Sequence, residues 1–127
     1  MIILDSSVWV AFFNKEDSQH KKAVQTLKKY RRGLLVTEYI LLETSSVLCI
    51  RADKTTADKF LKMMMNNRDI KIMPAGKYFL NKVVKEFLIY KEKFLSFTDV
   101  SLMHLAKQHE IITFDKKLAK AIKNIKI

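Results

Sequence analysis

Four carboxylates stand where the sequence gives a carboxylate something to do. Asp5 follows the apolar run Ile2-Ile3-Leu4, and Asp115 follows Ile111-Ile112-Thr113-Phe114. Each run reads as a buried strand with an acid at its carboxyl end. Asp99 stands three residues after Ser96, at the head of a helix whose stripe is Asp99, Leu102, Met103 and Ala106. Glu43 falls at helical spacing on one face with Tyr39, Ile40, Val47 and Ile50, so it points toward packed structure. A carboxylate turned inward needs a partner, a cation or a shifted pKa. In an open parallel sheet the strand ends share one edge, and ligands bind there. Asp5, Glu43, Asp99 and Asp115 can therefore meet in one pocket. Two such charges ~4 Å apart repel by about 4 kcal/mol at an effective dielectric near 20. A compensating cation is implied. Oxygen-only ligands select a hard ion, Mg²⁺ or Mn²⁺, and such ions activate water and stabilise leaving oxygens in phosphodiester hydrolysis.

Each acid also has a plain structural use. Asp5 can cap a helix, and Ser96 with Asp99 has the form of a capping box. Ser6, Ser7 and Thr113 either cap helices or orient the carboxylates. His20, His104 and His109 have no place in an all-carboxylate site, and neither a Ser/His/Asp triad nor a glycine-rich phosphate loop is present.

The elements that would position these residues alternate. Strands are expected at 2–4, 34–36, 70–73 and 111–114, with a final edge strand at Ile125-Lys126-Ile127. Helices are expected at 8–13, 20–32 (closed by Gly33), 38–50, from a capping box at Thr55-Thr56-Ala57-Asp58 onward, 77–91, from Ser96 onward, and 116–122. Leu80, Val83, Val84 and Phe87 form the buried stripe of the helix over 77–91. This is a three-layer α/β/α arrangement with a central parallel sheet of four to five strands. A chain of 127 residues makes it one domain spanning 1–127.

The net charge of +11 suggests a polyanionic partner. The helix over 20–32 carries Lys21, Lys22, Lys28, Lys29, Arg31 and Arg32 around an apolar stripe, and is the best local surface for phosphate contacts. Cys49 is the only cysteine, so no intramolecular disulfide forms, and it reads as a small buried group. Met63, Met64 and Met65 read as core or interface filler. No apolar run approaches the ~20 residues of a membrane span, and no signal peptide is recognisable, which places the protein in the cytoplasm.

Ile2 to Trp9, Val36-Thr37-Glu38-Tyr39 leading to Glu43, Phe97-Thr98-Asp99 leading to Ala106, and Ile112-Thr113-Phe114-Asp115 resemble the successive motifs of PIN-domain nucleases. Their order and spacing are similar to the VapC-type toxins of toxin–antitoxin systems, over the whole chain. The resemblance implies a metal-dependent endoribonuclease acting on single-stranded RNA regions. It implies Asp5 and Asp99 as principal metal ligands, completed by Glu43 and Asp115. It also implies a homodimer and a cognate antitoxin. The alternatives are a PIN-fold RNA-processing nuclease without an antitoxin and a non-catalytic RNA-binding module. A haloacid-dehalogenase phosphatase needs a second Asp where Ser7 stands, and a response-regulator receiver needs an Asp where Pro74 follows the third strand.

Overall fold

The computed structural model describes residues 1–91 and 94–125. Among them run β1 (Ile2–Leu4), α1 (Ser6–Phe13), α2 (His20–Lys29), β2 (Leu34–Thr37), α3 (Glu38–Arg51) and α4 (Lys54–Asn66). Then come β3 (Ile70–Met73), α5 (Gly76–Ile89), α6 (Phe97–Leu105), β4 (Glu110–Ile112) and α7 (Lys116–Ile125).

All strand pairs are parallel, in the order β3-β2-β1-β4. The apolar runs explain this order. Ile3, Leu4 and every residue of β2 are buried, as the two central strands must be. β3 and β4 lie at the edges and keep Lys71 and Glu110 in solvent. From β1 the chain steps outward to β2 and β3, then crosses back to β4 on the other side of β1. Right-handed crossovers put α1–α4 on one face and α5 and α6 on the other. The strand order therefore reverses between β1 and β4, and their carboxyl ends bound the switch-point crevice where α/β proteins bind ligands.

The core joins the sheet to both helical layers. Trp9, Phe60, Ile40, Leu48, Leu102 and Leu118 are fully buried. Trp9 meets Phe60 with ring centroids 6.1 Å apart, which ties α1 to α4. Thr37 ends β2 and opens α3: its hydroxyl accepts the Ile40 N–H at 3.2 Å, within the core.

Several boundaries differ from expectation, for local reasons. α2 stops at Lys29, where the N–H of Tyr30 returns to the Thr26 carbonyl. Gly33 does not cap it. With φ of +71°, Gly33 makes the left-handed turn into β2, and its carbonyl accepts the N–H of Ile2. α4 is capped by Asp53, which accepts the Thr56 N–H at 2.7 Å, instead of by a box at Thr55. β4 is shorter than expected, because Thr113 and Phe114 leave the ladder to serve the site. Ile125 ends α7 and is not strand; Lys126 and Ile127, the rest of the expected edge strand, lie outside the described residues.

Burial also corrects two helices. On α3 the inward stripe is Ile40, Thr44 and Leu48. Cys49 lies ~100° further round and is exposed, and Ile50 is 85% exposed. On α5 only Val83 is buried; Leu80, Val84 and Phe87 stay more than a third exposed. Met64 is core, whereas Met65 faces solvent.

Removing the α3 cap should be costly because the hydroxyl is buried. Thr37→Val is expected to lose about 1–2 kcal/mol in urea unfolding, and Thr37→Ser, which keeps the hydroxyl, much less. An equal or larger loss for Thr37→Ser would mean that the methyl group matters at least as much as the hydrogen bond.

Candidate active site

β1 ends at Leu4, and the backbone N–H of Asp5 still bonds to the carbonyl of Ile112 at 2.9 Å. Asp5 is therefore fixed at the junction of β1 and β4. It is 3% exposed and caps α1. One carboxylate oxygen accepts the Ser6 N–H at 2.7 Å. The other accepts the hydroxyls of Ser7 at 2.9 Å and Thr113 at 2.7 Å. Those hydroxyls are themselves positioned by backbone. Ser7 Oγ accepts the Phe114 N–H at 3.0 Å, and Thr113 Oγ1 accepts the Asp115 N–H at 3.0 Å. Both proposed uses of these residues are realised together: Asp5 caps a helix, and the hydroxyls orient its carboxylate.

Glu43 reaches the same place from α3, where Ser6 Oγ donates to its Oε1. It is half-buried, at the margin of the inward stripe and not within it. Asp99 comes from α6 through a true capping box. Its N–H donates to Ser96 Oγ at 3.0 Å, and its Oδ2 accepts the Ser96 N–H at 2.9 Å. Burial raises the Asp99 pKa above its ordinary value. The Ser96 N–H bond opposes this, while the negative charges of Asp5 and Asp115 add to it. Asp115 sits ahead of α7, three residues past the end of β4, and its Oδ1 accepts the Lys117 N–H at 2.9 Å.

All four acids line one cleft of about 400 Å³. Two further charged residues line it that the sequence did not single out. Asp17 lies in the turn after α1, where its Oδ1 accepts the Gln19 N–H at 2.8 Å, and its polar surroundings resemble any surface turn. Arg51 is the cationic residue among the described lining residues. Its signal was present: Glu43, Val47 and Arg51 are four apart and so share one helix face.

The donor chemistry suits a hard divalent cation. Carboxylates and hydroxyls supply only oxygen, and five acids face one arginine. Among the described residues no group of three or more His, Cys, Asp or Glu side chains is placed closely enough to hold a metal ion by itself. Mg²⁺ tolerates this, since it keeps several waters and takes few protein ligands. The histidines are engaged elsewhere. His20 Nδ1 is 2.8 Å from the Ala11 carbonyl, His104 Nδ1 is 2.8 Å from Glu86, and His109 Nδ1 is 3.4 Å from the N-terminal amine.

Comparison with known proteins gives a family and a fold. The PIN domain family model matches residues 2–124. A comparison with curated protein sequences finds no match. Among solved structures, the chain is similar to the Mycobacterium tuberculosis toxin VapC20, described as a toxin that cleaves the sarcin–ricin loop. The TM-score is 0.86 at 18% sequence identity, covering 95% of each chain. At that identity the likeness shows the fold. No helix among the described residues is long and apolar enough to cross a membrane.

The hydrogen bonding separates the two central acids. Asp5→Asn replaces an acceptor of donors from Ser6, Ser7 and Thr113, and should destabilise the metal-free protein by about 1–3 kcal/mol. Asp99→Asn can keep the bond to Ser96 while losing the repulsion. Because the native pKa of Asp99 is raised, the folded state holds this proton more tightly than the unfolded chain does. Its ionisation then costs stability as pH rises. In EDTA, Asp99→Asn should match wild type near pH ~4, where the unfolded carboxyl is half-protonated, and melt above it at neutrality. A lower melting temperature for Asp99→Asn at neutral pH would show that the capping role of the charge outweighs the repulsion.

Proposed function

The chain belongs to the PIN domain family, and from that premise we propose that it is a Mg²⁺- or Mn²⁺-dependent endoribonuclease, the toxin of a type II toxin–antitoxin pair. One observation carries the reading: Asp5, Glu43, Asp99 and Asp115, from four separate parts of the chain, line one cleft at the switch point of the sheet. A structural protein gains little from gathering five carboxylates around one arginine, where burial first, and then the charges of Asp5 and Asp115, raise the Asp99 pKa.

Asp5 and Asp99 are the principal residues to hold the cation, with Glu43 and Asp115 completing the set. When bound, the cation supplies Lewis acidity for attack of water on the phosphodiester and offsets charge on the departing oxygen. The chain's own groups do the rest. Ser7 and Thr113 fix the Asp5 carboxylate in one rotamer, and Ser6 fixes Glu43 beside it. Arg51 offers a fixed positive charge at the cleft for a neighbouring phosphate. The net charge of +11 draws RNA toward an acidic floor that would otherwise repel it.

The partners follow from the same reading: a cellular RNA met in the cytoplasm, an antitoxin protein and a second copy of this chain. We assign the second copy to the apolar residues that α5 leaves in solvent, with Leu88 at 72% exposure the most exposed aliphatic among them. Leu88→Glu should then give a monomer by sedimentation at concentrations where wild type is dimeric.

Purified protein should cut single-stranded RNA only with added Mg²⁺ or Mn²⁺. Asp5→Asn and Asp99→Asn should each lower the rate by more than about a hundredfold, beyond the loss typical of groups that merely orient ligands. End-mapping of cleaved RNA provides the measurement. RNA binding without metal-dependent cleavage would instead assign a non-catalytic binding module.

A further inference from the structure

The cleft can engage the scissile group, but its five carboxylates repel the phosphates on either side. The strand leading away needs another surface. Phe114 marks where one begins. It lines the acidic cleft, and it also lines a groove of about 310 Å³ beside α2. The rest of that groove includes Lys22, Gln25, Lys29, Tyr30 and Thr113, with no acid among its described lining residues. Thr113 bonds to Asp5 at 2.7 Å, so the groove starts one hydrogen bond from the acidic floor.

The charge and the rings are interleaved. The Lys22 ammonium lies 4.7 Å from the centroid of the Phe114 ring, and that of Lys29 lies 5.3 Å from the Tyr30 ring. Both lysines are exposed, and both rings are half-buried at the edge of the core, each with a cation over it. An aromatic ring with a cation beside it is the unit by which proteins hold single-stranded nucleic acid without reading its sequence.

We propose that this groove is a nucleotide subsite for the single strand flanking the scissile phosphate. The base next to the cleft stacks on Phe114, and Lys22 swings from the ring to the adjoining phosphate. Tyr30 and Lys29 repeat the arrangement one step further out. Base-paired RNA is excluded, since its bases already stack within the helix. The inference rests on the nuclease reading, and its test separates the two.

Trp9 is buried and is the only tryptophan, so Phe114→Trp adds a single accessible fluorophore. The measurement is made in an Asp99→Asn background with Mg²⁺, titrating a short single-stranded oligoribonucleotide and following both tryptophan quenching and labelled-RNA anisotropy. Quenching that tracks the anisotropy, and is absent with a duplex of equal length, is the expected result. Binding without quenching, or equal quenching by duplex, overturns the subsite and leaves the nuclease intact. No binding by either signal overturns both. Should Phe114→Trp fail to fold, the exposed lysines provide a second route. Lys22→Gln with Lys29→Gln should raise KM for cleavage between about fivefold and a hundredfold, with kcat within about twofold. It should also flatten the salt dependence of binding by about 1.4 in the log–log slope. An unchanged KM and slope overturn the proposal.

Discussion

A single buried carboxylate joins the parts of this protein that have no covalent reason to meet. Asp5 accepts from Ser6, Ser7 and Thr113, while its own N–H bonds to Ile112. It thereby holds the end of β1, the start of α1 and the segment after β4 in one register. The two hydroxyls are held in turn by the backbone N–H groups of Phe114 and Asp115. Each such bond to a charged acceptor contributes about 1.5–3 kcal/mol only because the alternative is a desolvated, unpartnered charge. The same bonds that satisfy the carboxylate also aim it. Structural need and chemical use are not separable at this residue.

The electrostatics have two scales. Locally the cleft is acidic enough for burial and its neighbours to lift the Asp99 pKa. Globally the protein is strongly basic. On the proposed reading the near field suits a small hard cation and the far field a large anion. Holding both requires placing them at different distances from the same carboxylates. Here the acids lie at the floor of the sheet crevice, and the lysines of α2 stand beside its rim.

The parallel sheet, the order of elements and the convergence of four acids on one cleft were legible because each depends on local pattern. Continuous apolar runs mark the strands, and Asp5, Asp99 and Thr37 stand at cap positions that follow from spacing. What was not legible depends on long-range packing. Gly33 looked like a helix cap but turns the chain into β2, a distinction set by where β2 must pair. Cys49 and Ile50 looked apolar and inward, yet the stripe that α3 buries runs through Ile40, Thr44 and Leu48. Arg51 was hidden by the same error of phase: following Glu43 by fours, rather than by threes and fours toward Ile50, leads to it. Asp17 carried no distinguishing local signal. The apolar stripe of α5 was expected to be buried, but this chain covers only Val83 of it.

The pairing of Asp5 with Thr113 spans 108 positions of sequence. β1 is made early and its hydrogen-bonded neighbour β4 is made late. Closing so long a loop is entropically unfavourable until the intervening core has formed. During synthesis, a nascent chain displays its first aspartate long before the hydroxyl that orients it has been translated. The crevice is thus assembled only after residue 113 has been made, and any fragment truncated before that residue carries the acid without its alignment.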